Sequence, residues 1–331
     1  TYQLRGATNG AVPSNARTSQ FYYTQNVWGG ELQMHSNAKI GDTDNHFTYG
    51  LSFAYTTTTR PRDRWQITLA TGARTQNVGG ELYPNKNFPD STTIQAGVYV
   101  QDEISALGGR LKITPGVRLD YYSLNPNPDA YFWNSTGASL NMIPTASTYV
   151  SASPKLGLLY HFSDIYSGYF QYATGFRAPP YDNANFGFTN AASFYQILPN
   201  PNLKPETANS FEVGMRGKYA DGSSWQLTGF ANFYNNFLES VVVGMNGPVT
   251  LFQYKNLSNV TIWGIEARGE YRFNDNWSVL GWTAFAQGTD TNTNQPVDSV
   301  APWASQARVR YTSSNGIVAQ IIGTMTAQHS Q

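Results

Sequence analysis

The residues that most often carry out chemistry are few in this chain, and their spacing does not suit it. The four histidines, His35, His46, His161 and His329, form no HExxH or HxH motif and no close pair at metal-ligand spacing. His46 and His161 sit beside short turns, where a solvated or wall-lining histidine is the plainer reading. Asp102 and Glu103 are successive residues of an alternating segment. Their carboxylates therefore point to opposite faces and cannot work as an acid–base dyad. No GxSxG elbow, P-loop or dinucleotide fingerprint occurs. The chain has no cysteine, which removes disulfide scaffolds and Cys-based zinc sites. The sequence does not read as an enzyme.

Recognition chemistry has more to offer. The stretch 171–206 reads QYATGFRAPPYDNANFGFTNAASFYQILPNPNLKPE. An alternating strand ends at Phe176-Arg177-Ala178-Pro179, and the next is entered through Asn200-Pro201-Asn202-Leu203. Prolines 179, 180, 199, 201 and 205 stiffen both stems and stop strand pairing there. Parity puts Arg177 on the same side as Gln171 and Tyr169. The loop between holds Tyr181, Phe186, Phe194 and Tyr195 among asparagines. Such a loop suits gripping a flat ligand; it is equally the composition of a plain loop with proline-capped stems.

The elements that hold this loop are strands. From Gly109 to Tyr121 the odd positions are Leu111, Ile113, Pro115, Val117, Leu119 and Tyr121, and the even ones Arg110, Lys112, Thr114, Gly116, Arg118 and Asp120. Only a strand between two different solvents alternates in this way. Pro115 predicts a bulge or distortion, because proline removes a ladder hydrogen bond. The pattern recurs through about twelve strands: 20–41, 45–59, 92–104, 109–123, 149–162, 164–176, 207–220, 223–238, 256–273, 276–288, 302–312 and 315–328. Short turns alternate with long connections at 60–91, 124–148, 177–206, 239–255 and 289–301.

Composition narrows the class. Charged residues make up 13%, about half the usual share, while aromatics reach 15%. Net charge is zero, which leaves no electrostatic footprint for nucleic acid. No apolar run is long enough for a membrane helix. Backbone in lipid must then be satisfied by a closed barrel. The expected fold is all-β: a transmembrane antiparallel up-and-down barrel, its apolar face toward lipid. Tyr121, Tyr122, Trp225, Phe233, Trp277 and Tyr311 are expected in interfacial girdles. The chain opens without a signal peptide, mid-pattern, and shows no obvious closing strand, so residues 1–331 are expected to be part of a longer protein.

The two boxes bracketing the long loop resemble those of TonB-dependent outer-membrane receptors, in particular haem and haemoglobin receptors. Tyr99-Val100-Gln101-Asp102-Glu103, Gly116-Val117-Arg118-Leu119-Asp120, Ser153-Pro154-Lys155-Leu156-Gly157 and Trp263-Gly264-Ile265-Glu266 follow in the same order as in that family. The resemblance implies a 22-stranded barrel around an N-terminal plug, here roughly strands 8 to 19, without plug or last strands. It implies a Gram-negative outer-membrane receptor worked by the TonB complex, with membrane lipid around it. Its cargo would be haem, carried and not permanently bound, taken from haemoproteins. A ferric-siderophore receptor is the alternative, and a passive porin the reading from another class. Such receptors commonly place a haem-binding histidine between the boxes. Residues 180–199 contain none; Tyr181 or Tyr195 could supply a phenolate ligand to the iron, and equally could stack on the porphyrin or pack the loop. Arg177, Glu212, Arg216, Glu266 and Arg268 are expected on the lumen wall.

Overall fold

The computed structural model describes residues 2–5, 14–135, 144–185, 187–190, 193–297, 300 and 303–327. Twelve long strands follow one another in the order of the chain. They are β1 (Thr24–Ile40), β2 (Thr43–Thr59), β3 (Asp90–Ala106), β4 (Leu111–Asn127), β5 (Ser147–His161), β6 (Tyr166–Arg177), β7 (Glu206–Lys218), β8 (Ser224–Asn246), β9 (Val249–Arg272), β10 (Trp277–Asp290), β11 (Ala304–Thr312) and β12 (Val318–Thr326). Each pairs antiparallel with its neighbours in sequence, giving one uncrossed meander. β1 and β12 each keep one edge without a partner strand among the described residues. Among the described residues no helix is long and apolar enough to cross a membrane.

The alternation read in the sequence is the two-faced wall of this sheet. On one face Lys112 Nζ meets Glu103 at 2.5 Å and Lys155 Nζ meets Gln101 at 2.5 Å. On the same face Arg118 bonds Ser52 and Asp120, and Tyr169 bonds Thr228. The other face is apolar and bare: Val98, Val117, Val213, Leu227 and Ile265 are all exposed. A soluble protein does not leave so large a contiguous apolar face uncovered, whereas a barrel wall in lipid must.

Aromatic rings mark two levels on the apolar face. Near the short turns lie Tyr160–Phe162, Tyr166–Trp225, Tyr271–Phe273 and Trp277–Tyr311. Higher up lie Tyr172–Phe211, Phe211–Phe233 and Trp263–Phe285. Trp225 and Phe233 are eight residues apart on β8, about 27 Å along the strand. Strand tilt shortens that to a height close to the apolar band of an outer-membrane barrel. Tyr122 departs from the girdle expectation. It lies on the polar face and stacks on Tyr149 at 6.3 Å.

Two other expectations are corrected, and the one at Pro115 is met as a local interruption of the ladder without a bulge. β4 keeps its register on both sides, with Pro115 opposite Leu156 of β5. Only the rungs between Gln101/Gly116 and Ile104/Ile113 are missing on the β3 side. Residues 239–255 are not a long loop. β8 and β9 run on together as a tall hairpin to a turn at Gly247–Pro248, with one register shift at Val242/Gly244. The first strand begins at Thr24; the preceding Asn15–Phe21 belongs to a second, five-stranded sheet with Pro61–Thr68.

Val98 stands at the centre of β3 on the bare face and Gln171 on the polar face of β6. Val98→Arg is expected to cost about 2–4 kcal/mol of folding stability in vesicles. Gln171→Arg, beside Glu212 across the ladder, should cost under about 1 kcal/mol. Urea-driven refolding into lipid would show the difference; equal costs would refute this assignment of faces.

Candidate functional site

The boxes build the stems of the loop. Arg177, the last residue of β6, donates Nη1–H to Glu206 at 3.1 Å. Arg177 is exposed, but the Glu206 side chain is 9% exposed and also accepts from the Leu238 backbone N–H at 2.7 Å. The second box is fastened to the tall hairpin. Asn200 donates to the Tyr254 carbonyl, Gln253 donates to the Pro199 carbonyl, and Asn256 bonds Lys204 both ways. Leu203 is buried, and its carbonyl accepts from Tyr149. Pro179 is fully buried. The short prolines and amides of these boxes are anchors, which is why an exposed loop between them keeps one shape.

Between the stems the chain folds back as a hairpin. Phe188–Asn190 pairs with Tyr195–Leu198, and the latter adds in parallel to Thr250–Gln253 of β9. The long connection 60–91 leans against the start of the same loop. Arg60 lies 4.8 Å from the ring centres of both Tyr23 and Phe88 and 5.7 Å from that of Tyr181, and bonds Asp182 at 3.0 Å. Tyr181 donates its hydroxyl to the Pro89 carbonyl. Burial, together with nearby Asp182 and Asp90, pushes the Tyr181 phenol far above its ordinary range, against the opposing charge of Arg60.

Over this brace lies a cavity of about 360 Å³, lined by Phe21, Tyr22, Arg60, Asn87, Phe88 and Tyr195 among others. A second cavity of about 330 Å³ shares Tyr195 and Ile197 and continues to Ser240 and Phe252 on the tall hairpin. The two make a cleft of aromatic walls with two arginines at one end, Arg60 and Arg62. Arg62 is already engaged: Nε–H bonds Asn85 at 2.8 Å and Nη2–H bonds Glu81 at 3.0 Å. Concave, mostly apolar sites with a few fixed polar groups are the usual form of a ligand pocket.

The residues expected from the sequence separate on this geometry. Tyr195 lines both cavities and meets Phe252 edge-on at 6.4 Å. Tyr181 belongs to the brace. Phe194 is exposed, in a left-handed conformation with φ 52°, and its carbonyl holds the Thr250 N–H. Arg177 belongs to the stem, and Phe186 lies outside the described residues. Phe21, Tyr22, Arg60, Asn87 and Phe88 were missed; they lie 107 to 174 residues before Tyr195, with no local signature. The histidines hold one surprise. His35 and His46, unpaired by spacing, stack at 5.4 Å on the polar face near a short turn. No group of three metal-binding side chains occurs among the described residues.

A two-faced β wall with one minimal end and one elaborated, cleft-bearing end is the architecture of an outer-membrane β-barrel receptor. The chain belongs to the TonB dependent receptor-like, beta-barrel family, which matches residues 1–323. It is 24% identical over 233 residues to the hemoglobin-haptoglobin utilization protein B of Neisseria meningitidis serogroup C, covering 62% of this chain and 28% of that protein. It is 26% identical over 274 residues to the hemin receptor of Yersinia enterocolitica, covering 74% of this chain and 37% of that receptor. The chain thus spans about a third of the length of these relatives. Among solved structures, the Serratia marcescens hemophore receptor HasR, in complex with its hemophore HasA and heme, superposes with a TM-score of 0.68 at 15% identity, covering 96% of this chain and 53% of that one. At that identity the likeness is one of fold.

Glu206→Ala removes the acceptor shared by Arg177 and the Leu238 amide. Hydrogen exchange at Leu238 and along the second box should quicken on the order of tenfold, the scale of one lost hydrogen bond. Arg177→Ala, which removes only an exposed partner, should change it less. Unchanged exchange in Glu206→Ala would show that the stem is held otherwise.

Proposed function

We propose that this chain is part of the wall and outer mouth of an energy-coupled receptor in a Gram-negative outer membrane, and that the receptor imports an iron source, haem in the first place. The observation that carries the reading is the cleft, where Tyr195 of the two-box loop faces Phe21, Tyr22 and Phe88, with cationic arginines at one end. Flat aromatic walls suit a porphyrin face, and a cation suits its carboxylates. The haemoglobin-haptoglobin and hemin relatives point to the same cargo.

No covalent chemistry is involved. The loops capture the cargo, from a haemoprotein or free, and a plug segment engaged by the TonB complex opens the path inward. The edges of β1 and β12, without a partner strand among the described residues, support a larger closed wall, since an unpaired edge is not stable in lipid. Within the site, Tyr195 is the proposed iron-side contact, because it is the loop tyrosine on the cleft surface. Tyr181 is the brace beneath it.

Haem titration of the full-length receptor should give a saturating Soret change at micromolar haem. Tyr195→Phe should weaken binding about tenfold and alter the visible bands if the phenolate ligates. Tyr181→Phe should leave the band shape unchanged. A flat Soret response would sink the haem assignment; tight binding of a ferric siderophore instead would identify the other iron cargo. Sugar flux through the intact protein in liposomes would mark a porin.

A further inference from the structure

We propose that Arg60 and Asn87 form a subsite for a carboxylate carried on a flat aromatic ligand, with Asn87 taking a donor from the same ligand or its bound water. The subsite deepens the cargo reading of the cleft and rests on it. Asp182 occupies Arg60 Nη1, and the Tyr23 side chain also bonds the guanidinium. Arg60 Nε is buried with no hydrogen-bond partner, and so is Asn87 Oδ1. Both residues line the 360 Å³ cavity with Phe21, Tyr22 and Phe88. Asn87 is 8% exposed.

Buried unpaired polar atoms are uncommon in folded proteins, and each calls for an explanation. Here a lone donor and a lone acceptor lie just inside the walls of one aromatic space, within reach of a ligand once the side chains shift. Arg62 does not compete for the role, because Asn85 and Glu81 already take its Nε–H and Nη2–H. A guanidinium offers its Nε side to a carboxylate in a fork geometry that lysine lacks. The rings of Tyr23 and Phe88, 4.8 Å away, fix its plane and limit water beside it. Asp182 is then a rival anion. A ligand carboxylate shares the guanidinium with it, and weakening that pair loosens the brace between the 60–91 connection and the two-box loop.

The test uses the full-length receptor in lipid nanodiscs, with empty discs as blank, and calorimetric titration of 2-naphthoate against neutral 2-naphthamide. Wild type should bind the carboxylate at least tenfold more tightly. Arg60→Gln should abolish the preference. Asp182→Asn keeps Arg60 and removes the rival charge, so it should tighten naphthoate binding two- to fivefold; a purely structural brace would give the opposite sign. Equal affinity for the two probes, no measurable naphthoate binding, a preference retained in Arg60→Gln, or weaker naphthoate binding in Asp182→Asn would each overturn the subsite. A flat Soret response to haem alongside an intact naphthoate preference would remove the haem reading and leave the subsite standing.

Discussion

The satisfaction of backbone hydrogen bonds in a medium without water governs this structure. In lipid an unpaired amide costs several kcal/mol, so each inner strand of the wall is laddered to both of its neighbours. Twelve strands follow this order without a crossover, although the β5–β6 ladder stops at Lys155/Ala173. Pro115 shows how tight the constraint is. It lacks an N–H, yet the register on either side is unchanged and the defect is confined to two rungs facing β3. Side chains bracket the gap, with Lys112 on Glu103 at 2.5 Å on one face and Asn45 on Asp102 at 2.6 Å on the other. A bulge would have shifted every later residue of the strand to the wrong solvent; losing two rungs shifts none.

Because lipid supplies apolar contact to the wall, the wall needs no protein core of its own. The core lies at the loop end. The largest fully buried side chains among the described residues, including Leu124, Phe132, Val78, Val260, Asn85 and Pro179, all lie there. Polar joints tie that end together: Lys86 bridges Asp90 at 2.8 Å and Asp129 at 2.6 Å, and Asp129 caps the short helix Ala130–Trp133. The short-turn end has no such packing and is finished by aromatic pairs. One end is thus a small water-exposed domain built from loops, and it carries the two aromatic-walled cavities.

This division explains what the sequence made legible. The wall was readable because a two-solvent strand writes its environment into every second residue, and strand count, order and faces follow from that rule. The tall hairpin was not. Above the membrane both faces of β8 and β9 meet water or loop, the alternation lapses through Leu238–Val243, and the composition reads as loop. Tyr122 was misplaced for a related reason: aromatics near a strand end suit either a girdle or the inner face, and only parity decides between them. The Arg60 brace could not be read at all, since its parts come from Tyr23, Arg60, Phe88 and Tyr181, and no local pattern links them.

The two boxes separate structural residues from recognition residues in the loop. Arg177, Glu206, Asn200 and Leu203 spend their polar and apolar groups on the stems. The span between them can vary more in chemistry, because its hairpin is registered on β9 by backbone bonds. A family histidine missing from residues 180–199 therefore does not imply a broken site. Under the proposed reading the cargo contact falls to the cavity that Tyr195 lines together with a connection more than a hundred residues earlier in the chain. Identity within the boxes informs about the scaffold; the cargo is chosen by what faces the cleft.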